Sequence, residues 1–321
     1  MAFQLIPRRR VLTALGAGAA AASLPGQRVG AADLEPDTDA GCRLGFSTYG
    51  LPGYSPRQAI EAIAKAGYDG LELTVTPERD VAAEQMNVSQ RREFRTLLED
   101  HGLELCSLMA NYRPLGSTTA HRRDLERLKG DLDLARDLSP NKPPVIQTVL
   151  GEKNWEDVKA SAVERFADWL QVTENSGVVV AVKPHRGHAL SRPDEATWLI
   201  KQLGDPSSIR MWFDYSHFIF RKMPLKDSIR DALPITAGIA VKDARQDGGA
   251  VRFELPGAAG TIDYEELCQR FYAGGFRGSI CVEVSSQVWK RPDYDAENAV
   301  VTSYRVLSTA MKKAGVPRPE R

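Results

Sequence analysis

The sequence has no excess of charge of either sign. Its 42 lysines and arginines are matched by 42 aspartates and glutamates, so the formal net charge is zero. Without a basic field nothing gathers a polyanion, and nucleic acid is excluded as the expected partner. Cysteine is scarce: Cys42, Cys106, Cys268 and Cys281 are all there is, at spacings that fit no zinc motif. Cys106 and Cys281 lie in apolar runs and read as core, and no pairing of the four can be read from spacing. No G-x-G-x-x-G follows an early strand, which argues against a dinucleotide-binding open sheet. After the N-terminal segment no stretch is long and apolar enough to cross a bilayer. Low-complexity tracts, heptads and linker-like breaks are also missing, so the chain reads as one domain.

The N-terminus has a layout of its own. Pro7-Arg8-Arg9-Arg10-Val11-Leu12 precedes the Ala/Gly-rich, mildly apolar stretch Thr13–Leu24, and Val29-Gly30-Ala31 offers small residues for cleavage. Paired arginines before a weakly apolar core are the pattern of a twin-arginine signal peptide over residues 1–31. The alternative is a short membrane anchor, but the segment is too short and too weakly apolar to span well. Export would carry the folded protein to the periplasm or cell exterior, free of the membrane once the signal is removed, where the cysteines could be oxidised. Residues 32–42 form a polar lead-in and 317–321 a tail.

Between them, apolar runs alternate with helical periodicity. Strands are predicted at 43–48, 69–75, 103–109, 144–149, 178–183, 209–213, 235–241 and 278–284. Helices are predicted at 55–66, 89–101, 118–138, 155–175, 193–203, 225–232, 264–273 and 296–314, with Pro56 opening the first and Gly67 closing it. Eight strand–helix units in one alternation call for a parallel sheet with helices outside. That is an α/β fold, a single (β/α)8 TIM barrel over residues 43–316, with a doubly wound open sheet as the rival architecture.

In a barrel, chemistry sits at the C-terminal ends of the strands. Reading off those ends gives Ser47, Thr48 and Tyr49; Glu72; Asn111, Tyr112 and Arg113; Gln147; Lys183 and His185; Asp214 and His217; Lys242 and Asp243; and Glu283. Asp214 and Glu283 each end an apolar strand, where a carboxylate is costly unless paired. They are either a metal or acid/base pair, or the anionic half of an ionic lattice with Lys183 and Lys242. Lys183 is a base, a Schiff-base amine, a fixed cation for an oxyanion, or a structural ion-pair partner. His185 and His217 follow two strands in matching positions and suit hydroxyl recognition, proton shuttling or metal binding. His101 and His121 fall on helices and read as solvated; His188 is open. Arg245 offers a bidentate donor or a solvated charge. Tyr112 and Arg113 read as mouth-loop substrate contacts, and Glu72 as a further one. Trp155 and Trp289 could wall a sugar, while Trp212, inside a strand, reads as core. Leu255–Gly260 could cradle an anion or be an ordinary tight loop.

These pieces resemble the xylose isomerase-like, or sugar phosphate isomerase/epimerase, TIM-barrel superfamily. The resemblance is carried by GFSTYGL at strand one, AIAKAGYDGLEL into strand two, VVVAVKPH at strand five, FDYSH at strand six, VKD at strand seven and GFRGSICVEV at strand eight. It implies one divalent metal (Mn, Mg, Co or Zn), held by a Glu, an Asp, a His and a Glu from strands five to eight, with the two Glu residues exchanging protons beside a carbonyl. Asp214 and Glu283 match two of these positions, and His185 or His217 would complete a metal set. Lys183 stands at the first Glu position and Ala240 at the His position. Either the metal has moved to Asp214, Glu283 and a nearby His, or Lys183 supplies the missing positive charge.

The expectation is then an exported isomerase or epimerase of a small-molecule carbohydrate or oxidised sugar. Glu283 would be the base, Lys183 or a metal would hold the enediolate oxygen, His185 and His217 would orient hydroxyls, and Lys242 or Arg245 would hold the far end. Elimination from a 3-oxo-glycoside begins with the same proton abstraction. The rival class is a non-catalytic sugar-binding barrel whose metal site has decayed. An abasic-site endonuclease would need a His cluster and a basic face, and neither is here. Related barrels pair as homo-oligomers, although no stretch of this chain marks an interface.

Overall fold

The computed structural model describes residues 41–151 and 153–319. The signal-peptide reading falls outside them. In chain order the elements are β1 (Arg43–Ser47), α1 (Pro56–Ala66), β2 (Gly70–Thr74), α2 (Val88–Asp100), β3 (Glu104–Met109), α3 (Thr118–Leu138), β4 (Val145–Thr148), α4 (Trp155–Thr173) and β5 (Val180–Val182). They continue with α5 (Pro193–Gln202), β6 (Ile209–Phe213), α6 (Leu225–Ala232), β7 (Thr236–Val241), β8 (Asp243–Asp247), β9 (Ala250–Glu254), α7 (Tyr264–Ala273), β10 (Ser279–Val282), α8 (Ser286–Trp289) and α9 (Ala296–Lys313). Strands β1 to β7 and β10 close into a parallel barrel in the order β1-β10-β7-β6-β5-β4-β3-β2.

Local chemistry sets the helix ends. Ser55 caps α1 by accepting from the Gln58 amide while the Gln58 side chain accepts from the Ser55 amide. Such a cap contributes about 1 kcal/mol. Gly67 then turns the chain at φ 103°, a left-handed conformation that a side chain would strain. The stretch read as a C-terminal tail is anchored: Arg318 donates to both Asp69 oxygens and to the Gly67 carbonyl.

Alternation along the strands fixes what points inward. A small cluster of Cys106, Ala181, Trp212, Ala240 and Cys281 forms one layer of the barrel interior. Gly238 makes room for the indole, since a Cβ there would lie 2.0 Å from the Trp212 ring. Two residues further along four of those strands come Lys183, Asp214, Lys242 and Glu283. The same period that buries the cluster therefore aims all four side chains into one layer above it.

The structure also has an element absent from the sequence reading. Strand β7 runs into an antiparallel hairpin, β8–β9, in the stretch between the predicted strand 235–241 and the predicted helix 264–273. Gly248 and Gly249 form its two-residue turn, both at positive φ.

Candidate active site

Lys183, Asp214, His217, Lys242, Glu283 and Glu72 all reach the interior at the C-terminal ends of their strands, each at most 6% exposed. Lys183 Nζ donates to Glu283 Oε2 at 2.5 Å. Lys242 Nζ donates to Glu283 Oε1 at 2.9 Å and also to Asp214 Oδ2. Asp214 Oδ1 accepts from the Ser216 hydroxyl at 2.6 Å and from its amide at 3.2 Å. The result is a buried lattice of two ammoniums and two carboxylates, neutral as a unit. The sequence named this lattice as one of two options. What it did not specify is that Lys242, not Lys183, bridges the two acids.

The electrostatics follow from the geometry. Burial pushes Glu283 up, but Lys183 and Lys242 more than reverse this and hold it at about 2. Asp214 is likewise raised by burial and carried well below its usual range by Lys242 and His217. Burial lowers Lys242, and the two carboxylates outweigh it, so the ammonium holds its proton more tightly than a free lysine. Glu72 goes the other way. Burial and the charge of Glu283 raise its carboxyl, against the pull of Lys183 and a 2.7 Å hydrogen bond from Ser107.

The histidines form a stack. His185 lies 4.0 Å from His217 and 4.1 Å from His188, ring centre to ring centre. Desolvation lowers His217 to about 4, and His185 is lowered by desolvation and by its cationic neighbours. Both rings are therefore neutral at pH 7. His217 Nε2 faces Asp214 Oδ2 at 3.3 Å in poor hydrogen-bond geometry, and Nδ1 of this fully buried ring has no partner.

A divalent metal does not fit this donor set. Hard cations need several free oxygen ligands. Here both oxygens of Asp214 and of Glu283 already accept N–H or O–H bonds, and ammoniums hold the space a cation would take. Among the described residues no three His, Cys, Asp or Glu side chains converge in metal-binding geometry.

Other expected contacts lie elsewhere. Tyr112 is fully buried away from the mouth: Asn111, at φ 51°, turns the chain, and the phenol donates to Asp131 while packing edge-on against Trp169. Arg245 sits on the hairpin, half exposed, tied to Glu254 and Asp247. His121, read as solvated, is buried and paired with Asp168 on α4. Its place one turn before Leu125 on the apolar stripe of α3 was the signal for that. The amides of Ala259 and Gly260 do cradle an anion, but it is the chain's own Asp243. Trp155 packs against Trp198 and Trp212 is core, whereas Trp289 stands edge-on to Tyr49. Phe253 was missed. From the unforeseen hairpin its ring covers Lys242 at 5.3 Å and His217 at 5.1 Å.

An eight-stranded parallel barrel with ionisable residues gathered at its strand ends belongs to the TIM-barrel class. Residues 60–309 match the family described as xylose isomerase-like TIM barrel, and the chain belongs to that family. No curated protein sequence matches it. Among solved structures, a D-psicose 3-epimerase determined in the presence of D-fructose superposes with a TM-score of 0.68 at 14% identity, covering 85% of this chain and 99% of the other. The 3-keto-D-glucoside 4-epimerase of E. coli gives 0.66 at 16% identity, covering 84% and 99%. A xylose isomerase-like TIM barrel protein from Mycobacterium smegmatis, in complex with magnesium, gives 0.65 at 16%, covering 86% and 98%. At these identities the likeness is one of fold.

Proposed function

We propose that this barrel is a metal-independent enzyme of the sugar isomerase or epimerase type, moving a proton at the carbon beside a carbonyl. The observation that carries the reading is Lys242 bridging Asp214 and Glu283 with Lys183 on the remaining Glu283 oxygen. Two fixed ammoniums supply the positive charge that a metal supplies elsewhere in the fold. They favour an enediolate oxygen over a neutral carbonyl, which is the differential that accelerates proton abstraction. Environments also split the two interior glutamates, with Glu283 ionised and Glu72 raised, the separation expected of a proton acceptor and a proton donor.

Glu283 is a weak base while both ammoniums hold it. A substrate oxygen that takes over the Lys183 hydrogen bond would free Oε2 and raise its basicity at the moment of need. His185 and His217, neutral and short of partners, would orient hydroxyls. Elimination from an oxidised glycoside uses the same first step. The arginine pattern at residues 8–10 supports export of the folded protein to the periplasm or exterior.

One observation favours a second reading, a sugar-binding barrel without turnover: Glu283 has no free oxygen and a pKa of about 2. The test is proton exchange in deuterated water, followed by NMR, with D-psicose, D-fructose and a 3-oxo-glucoside. The proposed enzyme exchanges the α-proton equally with and without chelator and loses exchange in Glu283→Gln. Binding of these sugars with no exchange supports the binder instead.

A further inference from the structure

Helices α1 and α9 are neighbours in the outer ring, and a groove of about 340 Å³ runs between them, lined in part by Ala62, Ala66 and Val300. The small side chains of the two alanines leave it open. On its α9 bank stands Val301. It is one of two large apolar side chains exposed among the described residues, the other being Val88 at the start of α2. Helix formation does not favour valine at an exposed position, because its branched side chain loses rotamer freedom there.

The charges on this bank are arranged about Val301. Glu297 and Arg305 lie four residues before and after it on the same face of α9, and both are exposed. Elsewhere exposed opposite charges sit three or four residues apart and pair within their own helix, as Arg57 does with Glu61 and Lys129 with Glu126. Glu297 and Arg305 are eight apart, about 12 Å along the axis, too far to meet each other. Among the described residues neither side chain joins an ion pair or a hydrogen bond. The bank is also held in place from behind. The Tyr68 phenol donates to the Val300 carbonyl at 2.9 Å, and its ring packs edge-on against Tyr304, a further residue of the groove. A surface fixed in advance loses little freedom when it is covered.

We propose that the α1–α9 face is a two-fold interface between copies of this chain. A pattern of opposite charges placed evenly about one apolar residue is complementary to itself when turned antiparallel. With the two-fold axis at Val301, Glu297 of each chain faces Arg305 of the other. Each valine then has the open groove of the other copy to fill. The interface does not depend on what the barrel catalyses, so it stands or falls apart from the proposed function.

Sedimentation equilibrium of the full chain across the micromolar range tests this. One antiparallel helix pair buries less than the roughly 1,200 Å² of a standard interface, so the dimer should be weak, with a dissociation constant on the order of micromolar. Glu297→Arg and Arg305→Glu each set like charges together twice in the symmetric dimer, and each should weaken it more than about tenfold. The double variant exchanges the two charges and keeps their match, so association should return close to the wild-type level. Within one chain the two positions are too far apart to compensate each other, so recovery reports contact between copies. Val301→Gln, which removes the apolar centre, should also weaken the dimer. All three positions are exposed, and circular dichroism should show the wild-type fold in every variant. A monomer throughout the range, a dimer indifferent to both single exchanges, or a double variant as weak as the singles overturns the interface.

Discussion

Lys242 Nζ stands 2.9 Å from Glu283 Oε1, and the same ammonium also donates to Asp214. All three groups are buried, so each charge depends on the others for the solvation it has lost. Attraction between buried charges roughly offsets their desolvation, but removing one partner strands the rest. Lys242→Met is therefore expected to destabilise the fold by about 3–5 kcal/mol. Adding Asp214→Asn removes one of the stranded anions and should restore part of that loss. Urea unfolding of the two single variants and the double variant measures the coupling; additive losses would mean that the pair is not acting as a unit.

Acid should unfold this protein in two stages, set by two groups of the site. His217 is held at about 4 instead of 6.5, so below pH 6.5 the unfolded chain takes up a proton that the fold refuses. Stability falls from pH 6.5 to about 4 on this account. Glu283 is held at about 2 instead of 4.5, so its contribution is complete above 4.5 and is lost as pH falls toward 2. Asp131, raised by burial to about 7 beneath Tyr112, has the opposite sign: its contribution is lost as pH rises from 3.8 to about 7. Between pH 4 and 6.5 His217 and Asp131 oppose each other, each with a slope of about 1.4 kcal/mol per pH unit. His185, lowered like His217, adds to the acid loss, so Asp131→Asn should steepen that loss in this window and His217→Gln should flatten it. Urea midpoints from pH 4 to 8 read both signs.

Period-two alternation makes most of this site legible in the chain. Ala181 and Lys183, Trp212 and Asp214, Ala240 and Lys242, and Cys281 and Glu283 are each two residues apart on a strand, so burial of the first predicts the direction of the second. The reach of a side chain is not encoded that way. Lys242 can bridge Asp214 and Glu283 because Ala240 leaves no imidazole beside it, a relation among three strands that no single window contains. Tyr112 was misplaced because the turn at Asn111 reverses the side-chain direction just past the strand end. The hairpin carrying Phe253 turns at Gly248-Gly249, a pair that suits a two-residue turn, but its first strand, Asp243–Asp247, holds no β-branched or aromatic residue, so no apolar run marks it in the chain.

Restoring the acid expected at position 183 should not by itself restore a metal site. Lys183→Glu places a third carboxylate beside Glu283 and leaves Lys242 where a cation would sit. The variant is expected to lose stability without gaining affinity for Mg or Mn. Lys183→Glu with Lys242→Met removes both ammoniums and leaves three carboxylates, a set of hard oxygen ligands that a divalent ion could neutralise. Calorimetric titration with Mn should detect binding in the double variant and none in the wild type. Binding of Mn by the wild type would show that the ammoniums yield their place.

Phe253 has the clearest consequence for access. Its ring lies over Lys242 and His217, and the hairpin that carries it is clasped to α8 and the segment after it. The Phe253 amide donates to Gln287 Oε1 at 3.0 Å, Arg291 donates to the Phe253 carbonyl at 3.2 Å, and Arg291 also pairs with Glu254 at 2.8 Å. Lys242 is 2% exposed, so in a long incubation at high pH, where part of the amine is neutral, an acylating reagent should still leave it unmodified in the wild type. Phe253→Ala removes the cover without touching a barrel strand, at a cost of up to about 3–5 kcal/mol for the lost aromatic packing. The barrel should stay folded while Lys242 becomes acylated, detected by peptide mass spectrometry. Arg291→Ala, which loosens the clasp and keeps the ring, should increase labelling by a smaller amount. Equal labelling in all three proteins would mean that the hairpin does not govern entry, and that the lattice is reached by another route.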